Sequence, residues 1–464
     1  MEKKDIIIVG GGPGGYVAAI TAAKLGQSVL LVEKARLGGT CLNFGCIPTK
    51  TYYHDAQTLR QFRELSDQDV FNGASPVYNM QKAYKRKQSI VDKLVDGVEQ
   101  LIKGNNIDLI HGDAKLYTAG YIVVNGEKYH SDHIIIATGS IDAVPPIKGL
   151  DNVNVLFVKE MLDLTEIPDE LVIIGGGVIG IEFACIFAEL GSHVTVIEFA
   201  PNILGSIDSD ITKRMRVFLK KQGIALHISS SAKSVEDCGD NRATVKFVDK
   251  KGEQSVVADK VLVATGRKAS LDGVDVGKLG IELDRGFIKV DADYQTNVKG
   301  IYAIGDVIGG QMLAHMASYE GETVVKRICG QDVGLNMGAV PACVFSFPEI
   351  ASVGITEDQA KEKGIDIKIG RANYASNGKA MTINETDGFV KIIADSSDKI
   401  IGVHIMGAHA DDLILEGTIL VDRGIKAGDL SHCIHPHPTL GEVLSEAVSD
   451  VNGNAVHVLP KKRV

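Results

Sequence analysis

A glycine-rich unit occurs twice in this 464-residue chain, and it restricts the fold more than any other feature. In the first copy, an apolar run at 6–9 leads into Gly10, Gly12 and Gly15, and an alanine-rich segment follows. A second apolar run then ends at Glu33. This order of strand, G-x-G-x-x-G turn, helix, strand and acid is typical of a dinucleotide-binding βαβ unit.

The glycines and the acid have separate roles in such a unit. The first glycine allows a tight turn, the second lets the backbone approach a pyrophosphate, and the third brings the helix onto the strand. The carboxylate about twenty residues later accepts hydrogen bonds from ribose hydroxyls. The second copy has Gly175, Gly177 and Gly180 and ends at Glu198. Two units predict two dinucleotides in one chain, and a flavin with a nicotinamide is the natural pair.

The segments that follow the two units complete the predicted architecture. Each unit is followed by an apolar strand ending in Ala-Thr-Gly, at 134–139 and at 261–266. Beyond Pro341 the pattern changes, and Thr356 with Gln359 forms a capping box that opens a helix. The sequence therefore predicts an α/β chain with two Rossmann-like dinucleotide-binding domains and a C-terminal α+β domain without a nucleotide fingerprint.

Composition and spacing exclude several other classes of protein. The chain has 49 Lys and Arg against 59 Asp and Glu, a net charge of −10, which argues against a nucleic-acid partner. The apolar stretch from Leu171 is interrupted by glycines and reaches Glu182 too soon for a membrane span. No cysteines have Cys-x2-Cys zinc spacing, and His435 with His437 makes a poor metal site, so no metal is expected. The start of the chain leaves no room for a signal peptide, so we expect a cytoplasmic protein. The basic tail at 460–464 is interpreted as a frayed terminus.

Two cysteines, Cys41 and Cys46, lie in the segment 38–50, closely after the first unit. Alone, this Cys-x4-Cys spacing is a weak signal, because neighbouring cysteines are more often small buried apolar residues. Beside a bound cofactor, the pair suits a redox-active disulfide that exchanges electrons with an external substrate. A helix expected to begin near 47–48 would lower a cysteine pKa from ~8.5 to roughly 3.5–7.5.

Five segments occur together and in order: 38–50, both glycine units, 301–306 and 435–442. With them the chain resembles the pyridine nucleotide–disulfide oxidoreductases over essentially its whole length. It is most similar to the members that oxidise protein-bound dihydrolipoyl groups with NAD+. The resemblance implies FAD and NAD as cofactors, a homodimer, and a lipoylated E2 protein or H-protein as the substrate carrier. It also implies four segments. These are a first FAD-binding part at 1–146, an NAD-binding domain at 147–270, a second FAD-binding or central part at 271–341, and a dimerisation domain at 342–464.

The resemblance also implies the catalytic residues. Cys46 is expected to lie against the flavin and Cys41 to face the substrate. Lys50 is expected to pair with Glu182 beside the flavin. An acid–base dyad is implied at the end of the chain, in which an imidazole takes a proton from the incoming dithiol and a carboxylate orients the ring. Its two members are His437 and Glu442.

The implied cofactor contacts extend beyond the two glycine units. Those for FAD are Gly10, Gly12, Gly15, Glu33, Lys50, Gly112, Ala114, Thr138, Gly139, Ser140, Asp306 and Ala314. Those for NAD are Gly175, Gly177, Gly180, Glu198 and Gly266.

Some residues depart from the family pattern, and two alternative functions stay open. The departures include Asp142, the pair 269–270, and Tyr52 with Tyr53, which stand one turn past the active pair and are candidates to reshape the disulfide channel. One alternative is another NAD(P)H-dependent flavoprotein disulfide reductase of the same family. The other is a non-catalytic dinucleotide-binding redox sensor, which the complete set of cysteines and dyad residues argues against.

Overall fold

The computed structural model describes residues 2–71, 76–430 and 432–459, so the basic tail at 460–464 lies outside the described residues. A five-stranded parallel sheet is built on the first glycine-rich unit, and the β-branched run Ile6–Val9 is its buried centre. Parallel sheets covered on both faces favour such continuous apolar strands. Across this sheet the strands are Ile301–Ala303, His133–Ile136, Ile6–Val9, Val29–Glu33 and Asp108–His111.

A second five-stranded parallel sheet is built on the second unit. Its strands are, in order, Val155–Leu156, Lys260–Val263, Glu170–Ile174, His193–Ile197 and Ala225–His227. In each sheet the strand before the glycine turn is central, and the strand that ends in Ala-Thr-Gly lies beside it. The edge strands differ, because Val155–Leu156 precedes its own unit whereas Ile301–Ala303 comes from much later in the chain.

Helices cover these sheets and connect them. The helices of this part of the chain are Pro13–Lys24, Gly39–Phe44, Cys46–Ser66, Met80–Gly104, Val158–Leu162, Val178–Leu190, Ser209–Lys221, Val276–Leu279 and Ala314–Ile328. In Met80–Gly104 the predicted core stripe of Ile90, Leu94, Val98 and Leu101 is wrong at two positions, since Leu94 and Leu101 are 42% and 52% exposed. The buried stripe keeps Val98 and is otherwise one residue further on, at Val91, Val95 and Ile102.

Short strands and turns make up the remainder of the two nucleotide-binding units. One smaller sheet has four strands, Glu2–Lys3, Glu127–His130, Tyr121–Val124 and Lys115–Thr118. Another has three strands, Ser231–Gly239, Arg242–Asp249 and Gly252–Ala258. Two antiparallel ribbons pair Ser140–Asp142 with Arg267–Ala269, and Leu283–Asp284 with Phe287–Ile288. Three short 3-10 turns, the last of them in the C-terminal part, are Gly305–Ile308, Met337–Ala339 and Tyr374–Ser376.

The C-terminal part is an antiparallel sheet with helices. Its strands in spatial order are Ala342–Val344, Ile350–Gly354, Ile400–Met406, Phe389–Asp395 and Ile367–Asn373. Its helices are Glu357–Glu362, Gly378–Thr382, Ala410–Arg423, Ala427–Leu430 and Gly441–Asp450. The predicted capping box is confirmed, since Thr356 and Gln359 each accept the other's backbone N–H.

The predicted fold class, with two dinucleotide-binding units and a C-terminal α+β domain, is confirmed. The exact domain boundaries stay predictions. Among the described residues, no helix combines the length and the apolar character that crossing a membrane requires.

Candidate active site

The two cysteines lie at the junction of two helices, Gly39–Phe44 and Cys46–Ser66. Cys41 belongs to the first helix, and Cys46 is the first residue of the second, where the helix dipole favours a negative charge. Both are thiols in this structure. A hydrogen bond between their side chains raises the pKa of Cys41 and lowers the pKa of Cys46 to about 7. In the reduced pair, Cys46 therefore carries the negative charge and Cys41 carries the proton.

A lysine links this pair to the second nucleotide unit. Lys50 lies one turn after Cys46, and its Nζ is 3.0 and 2.9 Å from the two carboxylate oxygens of Glu182. The Glu182 side chain is 5% exposed and also accepts the backbone N–H of Phe345 at 3.0 Å. Lys50 lowers the pKa of Cys46, whereas Glu182 raises it. Because Glu182 lies on Val178–Leu190, the helix that begins at the second glycine turn also reaches the thiol pair.

The first glycine turn has the shape that a pyrophosphate requires. A Cβ on Gly10, whose φ is +108°, would lie 2.2 Å from the Ala137 carbonyl oxygen, and a Cβ on Gly15 would lie 1.8 Å from that of Gly10. A Cβ on Gly12 would meet only Gly39, at 3.8 Å. The helix that follows has no side-chain cap, so its first N–H groups suit an anion.

Two carboxylates complete the first nucleotide site. Glu33 accepts the backbone N–H groups of Gly11 at 2.7 Å and Ala35 at 2.8 Å, which orients its side chain against the turn. Asp306 accepts the hydroxyl of Ser140 at 2.5 Å. These acceptors and the uncapped turn fit the ribose, ribityl and pyrophosphate groups of FAD.

The other residues implied for FAD have different positions. Gly112 donates its N–H to the Glu33 carbonyl at 3.0 Å, so it lies at the end of the same sheet. Thr138 donates its hydroxyl to the Ser270 carbonyl at 2.6 Å. Gly139 has a positive φ in the turn that follows. Ala314 begins a helix that has no side-chain cap. Ala114 packs into the hydrophobic core, so only its backbone is suited to contact a cofactor.

Sequence reasoning missed Arg267 and Glu320. Arg267 donates to Ser140 Oγ at 2.6 Å and pairs with Asp142 at 2.9 Å, so the departure at position 142 has an ion-pair partner in the opposite strand. Glu320 accepts the N–H of Gly305 at 2.7 Å, and burial raises its pKa to about 7. The only sequence signals concerned Arg267. It directly follows the second Ala-Thr-Gly, and its partner Asp142 is a charged residue shortly after the first.

A cavity of about 1200 Å³ lies beside the second glycine turn. The implied NAD residues Gly175, Gly177, Glu198 and Gly266 line it, whereas Gly180 packs against the turn, since a Cβ there would lie 2.0 Å from the Gly175 carbonyl oxygen. A Cβ on Gly177 would meet nothing within 4 Å, which leaves room for a ligand. The lining residues that were not predicted include Ile179, Phe199, Met312 and Val344.

Glu198 repeats the arrangement of Glu33. Its carboxylate accepts the N–H groups of Gly176 and Ala200, both at 2.5 Å, and faces the cavity. Each of its oxygens keeps a further lone pair for a ribose hydroxyl. This donor and acceptor set, the open second glycine and the size of the cavity fit a second dinucleotide.

The implied dyad is formed in the C-terminal part. His437 Nδ1 lies 2.9 Å from Glu442 Oε1, and Glu442 Oε2 accepts the N–H of Thr439 at 2.9 Å. Both hydrogen bonds lower the pKa of Glu442, so it stays ionised beside the ring. His435 contacts a different carboxylate, that of Glu416, at 3.0 Å. The His437 side chain is 77% exposed in the single subunit and presents its second nitrogen outward from the carboxylate.

Two further sequence expectations concern tyrosines and metals. Tyr52 and Tyr53 lie in the hydrophobic core, 0% and 5% exposed, rather than in an open channel. Among the described residues, no group of three or more His, Cys, Asp and Glu side chains could hold a metal ion.

A charged thiol pair between two dinucleotide sites, with an imidazole on another domain, defines a flavin- and nicotinamide-dependent disulfide oxidoreductase. The chain belongs to the pyridine nucleotide-disulphide oxidoreductase family, whose profile matches residues 4–321. The profile of that family's dimerisation domain matches residues 340–448.

Relatives of known name cover nearly the full chain. Dihydrolipoyl dehydrogenase of Bacillus subtilis (strain 168) is 41% identical over 465 residues, which are 98% of this chain and 98% of the relative. Dihydrolipoyl dehydrogenase of Geobacillus stearothermophilus is 39% identical, with 99% and 98% covered. That of Thermus scotoductus is 38% identical, with 99% and 100% covered.

Solved structures have the same fold. The HOCl-induced flavoprotein disulfide reductase RclA from Escherichia coli superposes with a TM-score of 0.85 at 30% identity, over 96% of this chain and 99% of that chain. LpdA from Mycobacterium tuberculosis superposes with a TM-score of 0.88 at 25% identity, over 97% and 100%.

Proposed function

We propose that this protein is a dihydrolipoyl dehydrogenase, which oxidises protein-bound dihydrolipoyl groups with NAD+ through a Cys41–Cys46 disulfide. The observation that carries the proposal is the position of the thiol pair. It lies one helical turn from Lys50, whose ion pair with Glu182 connects it to the helix of the second dinucleotide site. Relatives of 38 to 41% identity over nearly the whole chain carry that name.

Each side chain has a defined task in this reaction. His437 takes a proton from the incoming dithiol, and the resulting thiolate attacks Cys41 of the disulfide. The Cys41–Cys46 bond breaks, and its electron pair leaves on Cys46. The positive charge of Lys50, which lowers the pKa of Cys46, stabilises the thiolate that leaves.

The second substrate thiol then displaces Cys41, which closes the cyclic disulfide of the product. Cys41 takes up the proton of that second thiol as it leaves, in agreement with its raised pKa. When bound, FAD supplies the two-electron centre between the thiol pair and NAD+. The groups proposed to hold it are the first glycine turn, Glu33 and Asp306, while Glu198 and the second turn hold NAD+.

Each active site is proposed to combine two subunits of a homodimer. The exposed ring of His437 lies on the domain that matches the family's dimerisation domain, whereas the cysteines lie in the first domain. A two-fold interface would bring the partner subunit's His437 to the thiol pair and produce two equivalent sites. We also propose a lipoylated E2 protein or H-protein as the carrier of the substrate, and a cytoplasmic location.

The direct test is NAD+ reduction by dihydrolipoamide with the purified FAD-containing dimer. We expect turnover that Cys41→Ser abolishes, because the attacked sulfur is gone, while FAD remains bound. Cys238→Ser is the matched control, since this cysteine is exposed and lies on the strand Ser231–Gly239, far in sequence from the thiol pair and from His437. Activity with a different disulfide substrate but none with dihydrolipoamide would favour another reductase of the family. No turnover with any disulfide would favour a redox sensor.

A further inference from the structure

Lys391 is a fully buried lysine between the second dinucleotide-binding unit and the C-terminal part. It lies on the strand Phe389–Asp395, and its side chain is 0% exposed. Its Nζ lies 2.9 and 3.0 Å from the two carboxylate oxygens of Asp208. The same nitrogen lies 2.8 Å from Asp210 Oδ2 and 2.7 Å from Glu357 Oε2. The proposed reaction uses none of these four side chains, so their arrangement needs a separate explanation.

The three carboxylates come from two different parts of the chain. Asp208 and Asp210 lie at the start of Ser209–Lys221, a helix that packs against the second parallel sheet. Glu357 is the first residue of Glu357–Glu362, a helix of the C-terminal part. Asp208 also accepts the backbone N–H of Asp210 at 3.1 Å and that of Glu357 at 3.2 Å. One carboxylate therefore accepts N–H groups in the first turns of two helices that belong to different domains.

The C-terminal sheet needs these carboxylates, because it places two cations side by side. Arg371 and Lys391 are direct cross-strand neighbours, and like charges in this position repel each other. Arg371 pairs with Asp210, whereas Lys391 depends on all three carboxylates. Burial opposes a charge on Lys391, but hydrogen bonds to its partners raise its pKa, so it stays protonated. We call Lys391, Arg371, Asp208, Asp210 and Glu357 the ion cluster.

The ion cluster lies directly behind one wall of the cavity of about 1200 Å³. Ile207 immediately precedes Asp208, and Thr356 immediately precedes Glu357; both Ile207 and Thr356 line the cavity. His404, the second cross-strand neighbour of the buried lysine, lines it as well. The cluster therefore joins the two domains at the place where both contribute to the wall of the nucleotide cavity.

We propose that Lys391 is a positioning residue for NAD+, which holds the C-terminal wall of the cavity against the second dinucleotide-binding unit. The proposal rests on the proposed role of this cavity as the NAD+ site. Removal of the lysine charge would leave three carboxylates facing each other, and like charges repel. Because these carboxylates belong to two domains, their repulsion would move the C-terminal wall away. A dinucleotide held by the glycine turn and Glu198 would then lose the opposite side of its site.

Calorimetric titration of the FAD-containing dimer with NAD+ tests the proposal. We expect Lys391→Met to weaken NAD+ binding at least about fivefold, the lower end of ordinary coupling between sites. Methionine has a similar length and no charge. Lys368→Met is the matched control, since this lysine lies on the neighbouring strand Ile367–Asn373 and pairs with Asp398, with 45% of its side chain exposed. Unchanged NAD+ affinity in a folded Lys391→Met dimer would overturn the proposal.

A milder variant tests the same cluster if Lys391→Met does not fold. Glu357→Ala leaves the lysine two carboxylates and should weaken NAD+ binding in the same direction, by less. Glu357→Gln keeps an oxygen that accepts from Lys391, so its affinity should lie between those of Glu357→Ala and the wild type. Glu362→Ala is the control, because this residue of the same helix is exposed. Equal affinities in Glu357→Ala and Glu362→Ala would contradict the proposal.

Steady-state kinetics separate positioning from a general loss of structure. Lys391→Met should lower kcat/KM for NAD+ and leave kcat/KM for dihydrolipoamide unchanged, because the thiol pair lies outside the ion cluster. Equal losses in both values would mean that only the fraction of folded enzyme had changed, which contradicts the positioning role. The calorimetric titration does not depend on turnover. It is therefore decisive for Lys391 even if the proposed dihydrolipoyl oxidation is absent.

Discussion

The two dinucleotide-binding units have the same local structure and different surroundings. In both, the first glycine has a positive φ, the third packs its Cα against the first, and the acid accepts two backbone N–H groups. The helices that follow pack differently. Pro13–Lys24 approaches Ala314–Ile328 so closely that a Cβ on Gly321 would lie 2.4 Å from the Gly14 carbonyl oxygen. Val178–Leu190 instead packs Phe183 and Phe187 in the core shared with Cys46–Ser66.

The helix that follows the glycine turn therefore has a different role in each unit. The first helix is held by close backbone contact inside its own domain. The second crosses to the helix of the thiol pair and brings Glu182 to Lys50. A repeated fingerprint therefore makes two binding sites, and the packing of the helix behind each fingerprint decides which site is coupled to the redox centre.

The largest expected effect comes from adding one methyl group at the third glycine of either unit. Gly15→Ala places a Cβ 1.8 Å from a backbone oxygen, and Gly180→Ala places one at 2.0 Å. Overpacking against backbone should cost more than ~3 kcal/mol locally. We expect Gly15→Ala to lose flavin absorbance after purification, and Gly180→Ala to retain it but lose NAD+ reduction. Gly97→Ala is the control, since its Cβ would meet nothing within 4 Å.

The second prediction concerns the division of the site between the subunits. Cys41→Ser and His437→Gln are each expected to abolish turnover. After subunit exchange, a shared site predicts that half of the dimers contain one intact site, so about a quarter of wild-type activity should return. Activity of the mixed sample, with exchange verified by differently tagged chains, is the measurement. Exchange without recovery would mean that Cys41 and His437 meet within one subunit.

The third prediction tests the coupling that distinguishes the second unit. Lys50→Met removes a positive charge that lowers the pKa of Cys46, so this pKa should rise from about 7. Because the thiolate is lost as the pH falls through the pKa, its fraction at pH 7 should fall from about half toward the few per cent of an ordinary thiol. Absorbance of the reduced protein against pH measures this fraction. Lys159→Met is the control, because this lysine lies over the ring of Phe44, a neighbour of the pair in the sequence. An unchanged titration in Lys50→Met would argue against coupling.

The last prediction concerns the nucleotide preference of the second unit. Glu198 should repel the 2′-phosphate of NADP+, and two like charges about 4 Å apart cost ~1 to ~4 kcal/mol depending on solvent exposure. We expect kcat/KM to favour NAD+ by roughly tenfold to a thousandfold. Glu198→Gln should reduce this ratio, whereas Glu253→Gln, at an exposed position of the same domain, should not. Equal kcat/KM for both nucleotides in the wild type would refute the role of Glu198.

The accuracy of the sequence predictions depended on the range of the interactions involved. Neighbours in the sequence determine both glycine turns, the capping box at Thr356 and the order of strands around each turn. The stripe in Met80–Gly104 was wrong at Leu94 and Leu101, because apolar periodicity allows two adjacent faces and packing selects one. Arg267 and Glu320 were missed because their partners, Ser140 and Gly305, come from other elements.

The sequence by itself determined the two dinucleotide-binding turns, the thiol pair after the first and the change of pattern beyond Pro341, because each of these depends on residue types at fixed short spacings. Only the tertiary structure decided that strand Ile301–Ala303 joins the first sheet and that Glu182 reaches Lys50. It alone brought the Tyr53 hydroxyl to the buried carboxylate of Glu349. The physical reason is that burial and charge at these positions depend on segments that are distant in sequence and meet only when the domains pack.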